Sequence, residues 1–338
     1  METIEAIKNK KTLVLYQKMA DYKRAAVEIQ ADLTAYEPID KDLYHTFYSK
    51  AMAIIYLSHE ILGEYSDLSM TEKEEIGTMV QREILPFILQ TDTVSRFYTK
   101  PLGYAGDYMV LEKIYNDVES GSTPLGKAID RMHLDATTSI AVRNRRKLLA
   151  NELFAAFQNR TSDPLSILCI SSGPAREIFD LMNKTGKESF NVHATLIDFD
   201  QHAIDFCRKW RDENGWQNQI DLVQETILNV MTRRTTVHIP PQDIVYSIGL
   251  IDYFQEKHVV KLLDYIYSIL KTNGKVILGN FYKGNIYKEY MDFVLEWKLV
   301  HRNEADMIRM VQQSKFGQSS RIFFEGTGLN MFVECVKV

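Results

Sequence analysis

The sequence predicts an α/β fold: a mostly parallel sheet ending in an antiparallel hairpin, preceded by a helical N-terminal domain. Three observations carry this. After Pro164, apolar runs of strand length at 165–170, 192–197, 219–223, 243–248 and 275–281 alternate with helical segments at 175–184, 200–213 and 256–270. Strands separated by helices build right-handed βαβ units and a parallel sheet. The chain then closes with Arg321-Ile-Phe-Phe-Glu, a Gly-Thr-Gly turn and a run from Leu329 to Val338, which reads as a hairpin. Before residue 125, no strand pattern competes with helical periodicity.

In that first part, Leu43, Phe47, Ile54, Ile55, Leu57, Ile61 and Leu62 recur at intervals of three and four, and Gly63 stands where a helix stops. A second helix is expected from Ser69, with Thr71 as N-cap and Glu74 completing a capping box. Pro86 should bend or interrupt it. Residues 10–36 form another amphipathic candidate. Within Phe97–Tyr108, Pro101, Gly103 and Gly106 exclude a regular helix and leave three tyrosines and an aspartate on a constrained loop. A small-residue patch, Gly121 to Gly126, precedes a basic helix, Ile129–Phe157, which carries Arg143, Arg145 and Arg146. Residues 1–125 are thus expected to form a helical cap or partner domain, and 126–338 the α/β domain.

Length and composition agree. The chain has 338 residues, 45% hydrophobic and 25% charged, as in an ordinary globular protein of about two domains. With 40 basic against 45 acidic residues and a net charge of −5, it carries no electrostatic footprint for nucleic acid or an anionic membrane. The longest apolar stretch, Ala51 to Leu57, is far short of the roughly 20 residues needed to cross a bilayer. The N-terminus lacks the apolar run of a signal peptide. Three cysteines, Cys169, Cys207 and Cys335, suit neither a disulfide framework nor a zinc site, and the eight histidines show no metal-ligand spacing. A cytoplasmic protein working without a metal is expected, with a small molecule as its partner and no membrane insertion.

The candidate site begins at the first strand of the α/β part, which leads into Ser171-Ser172-Gly173-Pro174-Ala175. A strand, a small-residue turn and a helix N-terminus present backbone N–H groups to a ligand. Asp198 follows about 25 residues beyond the turn, close to the roughly 20-residue spacing of a carboxylate that accepts ribose hydroxyls. These features point to a nucleoside-containing ligand at the carboxyl ends of the strands.

From 165 to 338 the chain resembles the class I S-adenosylmethionine-dependent methyltransferases, whose sheet is Rossmann-like with a reversed terminal hairpin. Residues 167–175, ILCISSGPA, stand in place of that family's glycine motif. Gly173 and Pro174 match it, while Cys169 replaces the usual acid, Ser171 the first glycine and Ala175 the last. Asp198 matches the ribose-binding acid, and Gln224-Glu225-Thr226 the segment lining the adenine. The run from Asp243 through Ser247 to Asp252, Tyr253 and Phe254 matches the fourth strand and the loop flooring the reaction site. The resemblance implies S-adenosylmethionine as co-substrate, held by Ser171, Ser172, Gly173, Asp198, Phe199, Glu225, Thr226, Ser247 and Arg143. Further pieces resemble one branch of the family with a helical N-terminal extension: Lys100-Pro-Leu-Gly-Tyr-Ala-Gly-Asp-Tyr, Ala141-Val-Arg-Asn-Arg-Arg, Gly249-Leu-Ile-Asp-Tyr, Gly279-Asn-Phe-Tyr and Glu296-Trp-Lys-Leu-Val-His-Arg302. That branch includes proteins forming methyl esters of 3-hydroxy fatty acids. It is also similar to enzymes that cyclise S-adenosylmethionine to azetidine-2-carboxylate.

Methyl transfer is an in-line displacement at a sulfonium-bound carbon, in which the enzyme aligns the nucleophile and excludes water. Aromatic faces and a nearby carboxylate suit a sulfonium cation; Tyr104, Asp107, Tyr108, Asp252 and Tyr253 supply them if the tyrosine loop folds over the strand ends. Arg302 and Arg143 are candidates to clamp a carboxylate. Competing structural roles stand beside each: a solvated face for Arg143, an ion pair with Glu296 or Glu304 for Arg302, a helix cap for Asp252, packing for Trp297 and Cys169. His133 and His301 are the nearest base candidates. The leading expectation is methyl transfer to a small metabolite or acyl acceptor, carboxylate or amine. One alternative is ring closure of S-adenosylmethionine itself with release of methylthioadenosine; another is a non-catalytic nucleotide-binding module.

Overall fold

A computed structural model describes residues 4–31, 41–160, 164–318 and 321–338. The chain passes through α1 (Ile4–Ala31), α2 (Lys41–Leu62), α3 (Met70–Ile88), α4 (Asp92–Thr99), α5 (Tyr108–Asn116), α6 (Pro124–Asp135) and α7 (Thr137–Gln158) before it reaches the sheet. β1 (Leu165–Ile170), α8 (Arg176–Thr185), β2 (Val192–Asp198), α9 (Gln201–Glu213), β3 (Ile220–Gln224), α10 (Ile227–Met231) and β4 (Gln242–Ser247) follow. The last elements are α11 (Glu256–Ile269), β5 (Leu270–Phe281), α12 (Glu304–Gln312), β6 (Arg321–Phe324) and β7 (Asn330–Val336). Two compact units result, each assembled from separate stretches.

The first unit comprises Met1–Gly106, Asn116–Ser139 and Asn285–Leu299. Its helices form because one stripe of each is apolar. Leu15, Met19, Tyr22, Ala26 and Ile29 line the buried face of α1, and Phe47, Ile54, Ile55 and Ile61 that of α2. The helix expected over 10–36 begins earlier, at Ile4, and its last five residues lie outside those described. The N-cap of α3 lies two residues before the expected one: it is Ser69, and its reciprocal partner is Glu72, not Glu74. Both spans satisfy the capping-box spacing, and the earlier one lengthens the helix. α3 continues two residues past Pro86 to Ile88. The proline falls in the last turn, where the lost N–H removes a single intrahelical bond. The basic helix is two helices, broken at Ala136, whose extended backbone (φ −58°, ψ 139°) precedes the run Thr137-Thr138-Ser139. Thr123 caps the first of them and Pro124 opens it.

The second unit comprises Asp107–Tyr115, Ile140–Gly284 and Val300–Val338. It holds a seven-stranded sheet in the order β3-β2-β1-β4-β5-β7-β6. The pairs from β3 through β5 are parallel, whereas β7 runs antiparallel to both β5 and β6. This is the mostly parallel, Rossmann-like sheet with the reversed terminal hairpin that the sequence predicts. Side chains alternate along the strands: Ile167 and Cys169 face one core with Ala194, Leu196, Tyr246 and Ile277, covered by α7 and α8. Leu168 and Ile170 face the other, with Val245, Val276 and Leu278, covered by α11 and α12. Burial on both faces explains why these strands read as continuous apolar runs. The order reverses between β1 and β4, the switch point outside which such sheets open a crevice.

Candidate functional site

At the carboxyl end of β1 the backbone turns through three left-handed residues: Ser171 (φ +55°), Gly173 (φ +50°) and Ala175 (φ +46°). Two of the three are not glycine, so this turn keeps the shape of a glycine motif while holding strained backbone at both replacements. Gly173→Ala is expected to cost about 1 kcal/mol. Its Cβ would meet only Leu111 Cδ1, at an ordinary 3.5 Å, so the cost is that of backbone strain. Ser171→Gly is expected to stabilise by up to about 1 kcal/mol after the extra entropy of glycine in the unfolded chain is deducted. Thermal melts of the two variants, moving in opposite directions, check this.

The turn is tied to the next strand. Ser172 donates its N–H to Ile197 O (3.0 Å), and Gly173 donates its N–H to Asp198 Oδ2 (2.7 Å). Asp198 Oδ1 accepts from Asp200 N–H (2.9 Å). Burial raises the Asp198 pKa, opposed by the Asp200 and Gly173 N–H groups. The Phe199 N–H is a third backbone donor to it; an ionised carboxylate offers about four lone-pair sites, so capacity for a ligand hydroxyl is left. In the same turn, the Ser172 hydroxyl is buried and has no hydrogen-bond partner among the described residues. Phe199 presents a ring that is 47% exposed. Glu225 donates its N–H to Asp198 O (2.9 Å), its side chain accepts from Thr226 N–H (2.7 Å), and Thr226 caps α10. Ser247 is a stitch: its buried hydroxyl donates to Ile170 O (2.7 Å) and joins β4 to β1 at the switch point.

α5 covers the turn. Leu111 stands against Gly173, and Tyr108 packs on Phe206 with ring centroids 5.5 Å apart. Glu112 forms a two-pronged pair with Arg176, which also stacks over Trp210. Asp107 is buried at the helix start, where Oδ1 accepts from Met109 and Val110 N–H (3.0 Å each). Its visible role is that of an N-cap. Tyr104 belongs to the first unit, half-buried in the 101–106 turn.

After β4, a short turn over Ile251–Tyr253 places Asp252 in the interior and leaves Tyr253 exposed. Asp252 Oδ1 accepts from Phe281 N–H (2.7 Å). Burial pushes its pKa up to about 6, against the pull of Arg145 and Arg302. Arg302 is only 2% exposed, which overturns the surface ion pair expected as its competing role. Its Nη1 donates to Ile251 O (2.8 Å) and Asn280 Oδ1 (2.6 Å), and its Nη2 to Phe254 O. One planar fork thus fastens the β4 loop to the end of β5. Arg143 is half-buried on α7 with Nη1 3.4 Å from Ile114 O, and Arg146 grips both oxygens of Asp180.

The other candidates serve packing. Cys169 is buried, with its thiol pKa raised well above the usual value by burial. His301 lies against the Phe281 ring at 5.7 Å. His133 has its pKa lowered by burial and holds Nδ1 against Ile129 O (2.8 Å) within the first unit, where Trp297 packs on Phe97. Among the described residues no group of His, Cys, Asp or Glu side chains is arranged to hold a metal ion, and no helix is long and apolar enough to cross a membrane. Sequence reasoning singled out no role for Arg145. It is buried on α7, and its signal, a third arginine in a basic helix, does not separate it from its neighbours.

A family described as "Putative methyltransferase" matches residues 103–319. No curated relative matches the chain. Among solved structures, one described as a "possible exported protein" from Bordetella parapertussis is 14% identical, with 97% of this chain and 96% of that chain covered and a TM-score of 0.53. The magnesium protoporphyrin IX methyltransferase of Synechocystis PCC 6803, solved with bound SAH, is 10% identical, with 73% and 99% covered and a TM-score of 0.49. The mitomycin 7-O-methyltransferase MmcR is 12% identical, with 99% and 98% covered and a TM-score of 0.49. The likeness to the first of these is one of fold.

Proposed function

This chain belongs to that methyltransferase family, and we propose that it moves a methyl group from S-adenosylmethionine, held at the carboxyl ends of β1–β4, to a small-molecule acceptor bearing a carboxylate or an amine. One observation carries the reading: the β1 turn holds a buried Ser172 hydroxyl, unpartnered among the described residues, and donates its Gly173 N–H to an Asp198 carboxylate that retains acceptor capacity. Buried polar groups are ordinarily satisfied, so an orphan hydroxyl at a small-residue turn suits a polar ligand. Bound there, S-adenosylmethionine supplies a methyl group activated by a sulfonium centre. Asp198 would accept ribose hydroxyls, the exposed Phe199 ring would lie along the adenine, and Glu225 and Thr226 border that face. Asp107 and Tyr108, at the start of the helix over the turn, would close the other side.

The acceptor divides on proton chemistry. A carboxylate is already ionised at neutral pH and needs only orientation. An amine must lose a proton, and a carboxylate with an elevated pKa such as Asp252 is suited to take it.

Asp198→Ala is expected to weaken binding of S-adenosylhomocysteine at least tenfold, about 1.4 kcal/mol, by calorimetry. Incubation of the wild type with S-adenosylmethionine and pooled small carboxylates and amines should then yield S-adenosylhomocysteine. Methylthioadenosine appearing without any acceptor would replace methyl transfer by ring closure of the donor. A wild-type protein that binds neither S-adenosylmethionine nor its product would sink the reading altogether.

A further inference from the structure

Arg145 lies on the buried face of α7, 5% exposed. Among the described residues it forms no ion pair, and its Nε has no hydrogen-bond partner. Its neighbours make the contrast plain: Arg146 is paired in two-pronged fashion with Asp180, and Arg176 with Glu112. Tyr115 shares a side-chain hydrogen bond with Arg145, while Asp252 and Glu177 act on it through space without a contact ion pair. An interior cation without such a partner costs several kcal/mol in desolvation, and a guanidinium is built to offer parallel N–H groups to a carboxylate.

At Gly249, in the loop after β4, an added Cβ would stand 3.5 Å from Arg145 Nη2 and 3.9 Å from Nη1. Gly249 is itself exposed. The cation therefore lies directly behind a surface glycine, next to the buried Asp252 carboxyl and at the switch point of the sheet.

We propose that Arg145 receives a carboxylate of the reactants, arriving over Gly249, in the role that sequence alone gave to Arg143 and Arg302. This rests on the methyl-transfer reading of the same site. That carboxylate belongs either to the amino-acid end of the donor or to the acceptor. Asp252 and Glu177 keep the guanidinium from being a general anion trap, so a ligand must bring its carboxylate with other contacts.

Two titrations separate the sources. The first compares S-adenosylhomocysteine with methylthioadenosine, which lacks the carboxylate, on the wild type, Arg145→Met and Arg145→Lys. Expected is a wild-type preference for S-adenosylhomocysteine of at least tenfold, lost in Arg145→Met and partly kept in Arg145→Lys, with methylthioadenosine affinity unchanged. That result assigns the donor carboxylate; a merely structural arginine would weaken both nucleosides alike. The second titrates octanoate onto protein saturated with S-adenosylhomocysteine, where a tenfold loss in Arg145→Met assigns the acceptor carboxylate. Gly249→Val keeps the guanidinium but sets branched carbons against it, and should reproduce whichever loss is seen. An unchanged nucleoside preference, together with no octanoate binding that depends on Arg145, overturns the proposal. If the wild type binds neither nucleoside, the donor reading of the site has failed instead.

Discussion

Arg302→Ala is expected to lower the free energy of unfolding by about 3 kcal/mol, because it leaves buried acceptors without a donor. Phe254 O and Asn280 Oδ1 lose the guanidinium outright, and Ile251 O keeps only its turn bond from Phe254 N–H. The network it anchors is continuous: Asn280 Nδ2 donates to Phe281 O and Val300 O (2.8 and 2.9 Å), and Val300 N–H donates to Asp252 O (2.7 Å). Arg302→Lys should recover little, since one ammonium group cannot reproduce a planar fork spanning separate acceptors. Denaturant unfolding measures both variants. A loss below 1 kcal/mol in Arg302→Ala would mean that the β4 loop holds its shape without the fork.

The Asp252 carboxyl should make the protein less stable as pH rises through the mildly acidic range. Its pKa is raised from 3.8 to about 6, and burial is the main cause. A carboxyl whose folded pKa exceeds its unfolded value binds its proton more tightly in the native state. Its stabilising contribution is therefore complete below about pH 4 and is lost as pH rises through about 6. The difference amounts to about 3 kcal/mol. Asp252→Asn retains an oxygen to accept the Phe281 N–H but carries no charge to desolvate. Its melting temperature should exceed that of the wild type at pH 8 and match it near pH 4. Parallel curves at both pH values would show that Arg145 and Arg302 neutralise the carboxylate fully in the folded state.

The arginines show where sequence reading stopped. Arg143, Arg145 and Arg146 are neighbours in one basic helix, and their number and sign are visible in the chain. Successive residues on a helix point about 100° apart, so each meets a different environment: Ile114 O, the back of the β4 loop, and Asp180. Arg302 looks like a surface residue because Glu296 and Glu304 flank it. Its actual partners are carbonyls some 50 residues away in the chain, at Ile251 and Phe254. Asp107 is similar in kind. An acid after Gly103 and Gly106 suggests chemistry, and only the helix that begins at Tyr108 reveals a cap.

What the sequence determined by itself was everything of short range or regular period. Apolar runs of strand length separated by helices, the Gly-Thr-Gly turn of the hairpin, the small-residue turn at 171–175 and Asp198 beyond it each write a local rule into consecutive residues. Those rules suffice for the sheet and for the turn and the acid at the carboxyl ends of β1 and β2. Tertiary structure alone decided which capping register α3 adopts, where the basic helix breaks, and which arginine of that helix is buried behind an exposed glycine. These outcomes depend on the free energy of placing a charge or a polar atom among groups distant in the chain. Desolvation and hydrogen-bond satisfaction are properties of that assembled surrounding, and no periodicity in the sequence encodes them.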